Sequence, residues 1–522
     1  MNVKFLLITG QLARNLVRKH AQESRVEFDV MDLPMPVAAL LTPRYIAHEL
    51  KERRAEGFDV ALVPGLVRGD VSLVEEATGI TTFKGPRNAA DLPLVLDAFE
   101  RVELSRTLPA CDLLKEELRR GALDEIEAVE RRREALLKNP WNTLVGGLAV
   151  GKDFPMRIMA EIVDAPLKSD GEIRRMARYY VESGAHIVDV GMMAGESKPE
   201  QAERAVRAVK DAVEVPVSID TLDPEEAEAA IAAGADMILS VDGGNVEEMS
   251  EVASEVAVVV IPTNHVAGYF PKKASDRVEL LEENIEKARR LGVKNVLGDL
   301  ILDSVSVPGV VESILAYHEF ARRNPNIPLF CGVGNVTELM HADTVGVNAL
   351  AAGIASEIGV SVLLTTEVGD HTRGSVRELS TASQMMFLAK RRDTIPKSLG
   401  IDLLVLKERR WREETYDREI EEGVRVVKAG EAEGYVADPK GYFRIMVDRD
   451  EGCIAVLHFP RRGGRPGVIV KGIDAAGIYR AIVDMNLLSR LDHAAYLGYE
   501  LGKAEVALRI GRSYVQESAL FG

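Results

Sequence analysis

VPVSIDTLDPEEAEAAIAAGADMILSVDGG, residues Val215–Gly244, reads as strand, helix, strand. Its two outer runs are β-branched and apolar almost throughout, as strands buried on both faces of a parallel sheet are. The middle carries its own boundaries: Asp223 caps the helix, Pro224 fits its first turn, and Gly234 supplies a left-handed exit. The same module recurs about eight times, the count that closes a (β/α)8 TIM barrel. Strand ends fall at Asp164, Asp189, Asp220, Asp242, Asn264, Asp299 with Asp303, Asn335 and Glu367. An open doubly wound sheet is the competitor, and one unbroken series of units fits closure better.

Outward from this core the chain divides into further parts, as 522 residues exceed one hydrophobic core. Residues 1–105 read as a small α/β, Rossmann-like domain: KFLLITG, VEFDVMDLP and FDVALVPGLVRGD give strands, and ITTFKGPRNAADLPLVLDAF gives a short strand, a turn and a helix. Gly10 and Gly65 near strand ends invite a nucleotide site, and Arg68, Lys84 and Arg87 could meet an anion. With no GxGxxG and no GxxxxGK[ST], solvated loop charges are the better account. Residues 106–148 are charge-dense and read as a helical connector, 149–400 as the barrel, and 401–522 as a C-terminal α+β domain. In the last part KERRWREETYDREIEEG is a charged helical linker, GYFRIMVDRDEGCIAVLHF a hairpin turning at Arg449–Gly452, and SRLDHAAYLGYELGKAEVALRIG a long amphipathic helix.

A net charge of -17 argues against nucleic acid or an anionic membrane as a partner. Cys111, Cys331 and Cys453 lie far apart and form no CxxC pattern, so no disulfide framework is expected. No signal peptide or long apolar span is legible, and a cytoplasmic protein is expected.

The strand ends carry the chemistry. A rim rich in Asp and Asn but poor in Lys and Arg is ill suited to a multiply charged phosphate and suits a neutral, hydrogen-bonding heterocycle. A pterin is one such molecule: its amino-pyrimidinone edge offers two parallel N–H donors that a carboxylate accepts. Such groups lose roughly 1–3 kcal/mol when left unpaired, which makes matched Asp and Asn side chains discriminating. Composition by itself points only to a polar ring binder. Each strand-end Asp has a bland alternative as a helix cap, and His341 with Asp343 lacks a third residue at metal-ligand spacing.

SIDT (Ser218–Thr221), GESKP (Gly195–Pro199) and NHVAGYFP (Asn264–Pro271) resemble the dihydropteroate synthase motifs SIDT, GGESTRPG and MHxxGxP, in matching order at strand ends. GDLILD (Gly298–Asp303) falls where that family keeps the DPG carboxylate that holds the pterin, and Asp370, His371 and Arg373 echo its final RVHD. The resemblance spans about residues 160–375 and identifies the pterin-binding barrel superfamily; as a three-part chain the protein resembles the archaeal dihydropteroate synthase-related group.

The chain also departs from the synthase. NVTPDSF is replaced by EIVDAPLKSD, NDV by SVD at Ser240–Asp242, and the SRK motif with its Lys by GVGNVTE at Gly332–Glu338. Condensation of a pterin pyrophosphate with an arylamine needs positive charge or Mg²⁺, a provision these changes weaken. GVGNVTE resembles instead the GxSNVS motif of methyltetrahydrofolate:corrinoid methyltransferases, whose Asn sits over pterin N5. The resemblance thus implies Asn335 as the N5 contact, Asp299 at the pyrimidinone edge, and Asp189, Asp220, Asp242, Asn264 and Asp303 as further substrate contacts.

DPKGYFRIMVDRDEGCIAVLHF resembles the opening of the corrinoid-carrying A subunit of tetrahydromethanopterin methyltransferase, which would bring His458 or His493 towards a corrinoid, although the DxHxxG motif is absent. The implied function is transfer of a methyl group to or from a reduced pterin of the tetrahydromethanopterin or tetrahydrofolate type. A corrinoid or methyl-acceptor protein would then be partner, and the subunits a homodimer. Synthase-type C–N bond formation with Mg²⁺ is the alternative, and a non-catalytic pterin-binding scaffold a third.

Overall fold

The computed structural model describes residues 3–195, 197–253, 255–408, 418–430, 437–462 and 464–521. Two compact units are present, Met1–Arg412 and Glu413–Gly522. The first begins with a parallel sheet of β1 (Lys4–Gly10), β2 (Glu27–Leu33), β3 (Val60–Val63) and β4 (Thr81–Lys84), in the order β2-β1-β3-β4. Alternate side chains of β1 enter two separate cores, Leu6 and Ile8 in one, Phe5 and Leu7 in the other, so the sheet is covered on both faces. Gly10 and Gly65 have a structural reason to be glycine: a Cβ on them would sit 2.8 Å from Pro36 O and 2.6 Å from Gly85 O, so both mark loops crossing backbone to backbone. Lys84 donates to Thr107 O at 3.0 Å and Arg87 pairs with Asp112, which commits two of the three basic residues to local structure.

The connector is helical over Ala110–Glu130 and Arg133–Leu136 and then turns into a hairpin, β5 (Asn142–Val145) and β6 (Leu148–Gly151). Gly146 and Gly147, at φ of 50° and 84°, make its two-residue turn. The hairpin sits at the N-terminal end of the barrel, where Thr143 Oγ1 hydrogen-bonds Asn295 Oδ1 at 3.2 Å. Its fully buried Val145 and Val150 join the barrel's inward-facing Met159, Ile187, Met237, Leu297, Phe330 and Val362 in one core. Each valine so buried stabilises by about 1.5–3 kcal/mol, and together they seal the floor.

The barrel closes through eight parallel strands: β7 (Arg157–Ile162), β8 (Ile187–Gly191), β9 (Val217–Asp220), β10 (Met237–Val241), β11 (Ala257–Val260), β12 (Asn295–Asp299), β13 (Leu329–Gly332) and β14 (Val360–Thr365). Helices ring it, as the expected (β/α)8 architecture requires, and the quoted module is built as its sequence dictates. Asp223 accepts from the backbone N–H groups of Glu225 and Glu226, and Gly234 leaves the helix at φ 102°. Two pairings are irregular: β13 and β14 shift register between Leu329 and Phe330, and β10 and β11 between Ile238 and Val241, where Ser240 has φ 62°.

The second unit is an antiparallel sheet of β15 (Gly441–Asp448), β16 (Cys453–Pro460) and β17 (Val468–Gly472), packed against helices Ala475–Asp484 and Leu491–Ile510. The hairpin and long helix match the α+β expectation; β17 and the shorter helix add to it. Most of the charged stretch 407–423 lies outside the described residues. No helix among the described residues is long and apolar enough to cross a membrane.

Candidate functional site

Inward-facing residues alternate along each barrel strand, and the layer just above the apolar core is acidic. Met159 is followed on the same face by Glu161, Ile187 by Asp189, Ser218 by Asp220, and Leu297 by Asp299. Glu161, Asp220 and Asp299 line a cavity of about 300 Å³ at the C-terminal mouth, together with Ser240, Phe330, Asn335, Glu338 and the apolar Leu239, Val259 and Ile261. No Lys or Arg is among its described lining residues.

Each carboxylate has its own support. Asp299 accepts from the Tyr317 hydroxyl and, at 2.8 Å, from the backbone N–H of Ile301, a β-branched residue held at φ 63°. Burial nevertheless pushes its carboxyl up to about 6, against the pull of those donors. Asp220 accepts from Ser240 Oγ at 2.5 Å, so the strained turn of β10 aims a hydroxyl at the neighbouring strand end. Burial raises Asp220 as well, with the Ser240 hydroxyl opposing. Asp189 is wholly buried behind these two; Oδ1 accepts from Ser218 Oγ at 2.5 Å while Oδ2 has no partner. Glu161 receives no hydrogen bond from the described residues, and burial, then the charges of Asp220 and Asp164, push it up to about 7. One oxygen from each of Glu161, Asp189 and Asp220 lies within 4.8 Å of the others. Groups this close share a proton or a small cation rather than all carrying charge.

The structure brings Asp189, Asp220, Asp299 and Asn335 together; Asn335 is fixed by a 2.9 Å bond from Nδ2 to Leu302 O, which leaves its carbonyl oxygen and one N–H free for the cavity. It does not bring Asp242, Asn264 and Asp303 to the lining. Asp242 is fully buried and accepts from Thr263 Oγ1, His265 N, Gly244 N and His265 Nδ1 at 2.7–2.8 Å. Those donors outweigh its burial and hold it below the usual carboxylate range. It anchors a loop and has no lone pair left for a substrate. Asn264 Oδ1 takes the N–H of Ala267 at 2.9 Å, closing a turn bridged by Asn264 and Tyr269. Asp303 is bonded by Arg277 Nη2 at 2.5 Å and Ser313 Oγ at 3.0 Å; the buried Arg277 also donates to Pro271 O and Ile301 O, clamping two rim loops.

In the C-terminal unit His458 and His493 flank Phe443, with ring centroids 4.9 and 5.9 Å away, and are 6% and 3% exposed. His458 Nε2 and both His493 nitrogens are buried, so these rings pack a core and present none of those nitrogens at the surface to a corrinoid. Glu196 of the GESKP stretch lies outside the described residues.

Two lining positions are not strand ends: Glu161, a minor candidate in the sequence, and Glu338. Glu161 stands before the last strand residue, whereas Asp164, the apparent end, is exposed at φ 50°. Glu338 accepts from Thr366 Oγ1, Val368 N, Gly369 N and Thr372 Oγ1 at 2.8–3.0 Å, tying the last rim loop to the cavity wall. Counting by twos from the apolar residues puts Glu161 on the inner face; Glu338 leaves no sequence signal.

Fold and site together define a polar-cavity (β/α)8 barrel. Residues 164–342 match the family described as pterin binding enzyme, and residues 3–87 and 437–517 match a family of unknown function and the PterinBD-DUF4346 family. The chain is 40% identical over 532 residues to an uncharacterized protein of Methanocaldococcus jannaschii, across 99% of both. It therefore belongs to that protein's family, a dihydropteroate synthase-related group with a pterin-binding barrel. A dihydropteroate synthase of Synechocystis is 33% identical over 102 residues, 18% of this chain and 35% of the relative. Among solved structures, dihydropteroate synthase from Stenotrophomonas maltophilia is similar with a TM-score of 0.39 and 21% identity, over 47% of this chain and 96% of its own.

Proposed function

We propose that this chain is a pterin-dependent one-carbon transferase, in which the barrel cavity binds a reduced pterin of the tetrahydromethanopterin or tetrahydrofolate type and a methyl group at N5 passes to an acceptor. The observation that carries this is the joint placement of Asp220, Asp299 and Asn335 on one 300 Å³ cavity whose described lining holds no Lys or Arg. That volume is at the small end of ligand sites. Carboxylates there accept the ring's N–H donors, and a carboxamide fixed by Leu302 meets the N5 region. A diphosphate would face carboxylates with no lining cation to receive it.

Similarity to dihydropteroate synthases within the barrel favours a second reading, condensation of a pterin pyrophosphate with an arylamine. Calorimetric titration with methyltetrahydromethanopterin, methyltetrahydrofolate and dihydropterin pyrophosphate, each with and without Mg²⁺, separates the two. Micromolar binding of a methylated pterin that weakens in Asp299→Asn supports one-carbon transfer. Preference for the pyrophosphate, strengthened by Mg²⁺, supports the synthase reaction, and no binding of any pterin sinks both.

A further inference from the structure

We propose that Glu161 is the proton donor of this site, delivering its carboxyl proton to pterin N5 as the N5–methyl bond breaks, which presupposes the pterin assignment above. A methyl group leaves N5 only if the nitrogen, which keeps the bonding electron pair, takes up a proton. The carbon forms its new bond to the acceptor, a nucleophile of the thiolate or cobalt(I) corrinoid class. Glu161 then recovers a proton from water.

Among the four inward carboxyl groups of this layer, Glu161 alone combines access to the cavity with freedom from donors. Asp220 accepts from Ser240, Asp299 from Tyr317 and Ile301, and Asp189 from Ser218. Hydrogen bonds of that kind pull towards the charged form, against the burial that raises all three, and they commit those oxygens to the fold. Glu161 has no such support among the described residues.

Its seat is also made for it. A Cβ at Gly191, on the next strand, would lie 2.3 Å from Glu161 Oε1, so only glycine leaves room for the carboxyl there. The titratable groups facing it are Asp189 on β8, Asp220 on β9, Asp164 on its own loop and Tyr180 on the helix behind. All are acidic, and such surroundings keep a proton on the carboxyl. Its value of about 7 agrees with this role. Two carboxyl groups with different surroundings in one cavity divide acid from anion, with Glu161 the acid and Asp299 the anion.

The test is single-turnover methyl transfer from methyltetrahydrofolate or methyltetrahydromethanopterin to cob(I)alamin, over pH 5–9, in the full-length protein. The wild-type rate should fall about tenfold per pH unit above about 7. Glu161→Gln should lose roughly 100-fold in rate and the pH limb with it, while binding the methylpterin within about threefold of wild type. Glu161→Asp should restore part of the rate. As an acceptor-free readout, ultraviolet difference spectra of the bound pterin should show N5 protonated to higher pH in wild type than in Glu161→Gln.

An unchanged rate and pH limb in Glu161→Gln, or N5 protonation that does not differ between the two proteins, overturns the assignment. So does tight Mn²⁺ binding by wild type, seen by electron paramagnetic resonance and lost in Asp189→Asn, because the acidic group would then hold a cation rather than a proton. Wild type that binds no methylpterin removes the underlying pterin assignment; methylpterin binding with a fully active Glu161→Gln removes only the proton donor.

Discussion

Two stretches of the barrel rim look alike in sequence and behave in opposite ways. On β7–β9, Glu161, Asp189 and Asp220 end apolar runs and are short of donors: among the described residues Glu161 accepts from none, and the other two each accept from one hydroxyl. Beyond β10 and β12, Asp242 and Asp303 end similar runs and are tied into the fold, Asp242 saturated by four donors and Asp303 held at Oδ2 by a buried guanidinium and a hydroxyl. An acidic strand end is thus a structural clamp where the fold supplies its donors and a candidate ligand contact where it does not. Free energy is stored with different sign in the two places.

The sharpest way to break this contrast is Asp242→Ala. It strands four donors, two of them on the same loop residue, and is expected to cost about 3 kcal/mol or more in urea unfolding. A stability unchanged by that substitution would mean the loop anchors itself. Next is Asp220→Asn, which should weaken methylpterin binding roughly 10- to 100-fold by calorimetry while leaving stability equal or higher, since it removes a crowded charge.

The pH dependence should then split by region. Glu161 and Asp299 have folded values raised above their unfolded ones, so the folded state binds the extra protons. The stability they contribute is complete below about 4 and is lost as pH rises through about 6 for Asp299 and about 7 for Glu161. Asp242 is depressed, so its contribution is present above its unfolded value and is lost as pH falls through the lower folded one. Urea midpoints from pH 4 to 8 should accordingly show a downward slope towards alkali that Glu161→Gln flattens and Asp242→Asn does not. The smallest effect is expected of Gly191→Ala, which displaces the Glu161 carboxyl and should lower transfer several-fold with little change in pterin affinity, measured side by side in the same preparation.

Much of the barrel was legible because helix caps, left-handed exits and β-branched runs agree with one another along residues 157–365. Asp189, Asp220 and Asp299 were legible for the same reason, being ends of strands whose inner face is plain, whereas Asn335, in the turn of helix after β13, was legible from the resemblance of GVGNVTE to a known motif. Asp242 misled because the shift at Ser240 breaks the alternation on which an inward assignment depends. Asp303 misled because its partner, Arg277, comes from the helix before β12, a pairing the sequence does not mark. The hairpin at Asn142–Gly151 had a signal, two glycines between apolar pairs, that the preceding charge-rich helix obscured. His458 and His493 carry no sequence mark that separates a packed ring from a ligand.

The sealed floor beneath the cavity also governs traffic. Val145 and Val150 fill the lower barrel, so among the described residues the layer of carboxylates is closed from below and opens towards the mouth. Whichever reactant enters first lies deepest and leaves last. If the proposed transfer holds, two-substrate turnover should be strictly ordered, with the pterin as leading substrate and final product, and a dead-end analogue of the second reactant should slow the pterin's escape. Product-inhibition patterns of a random mechanism would contradict that order.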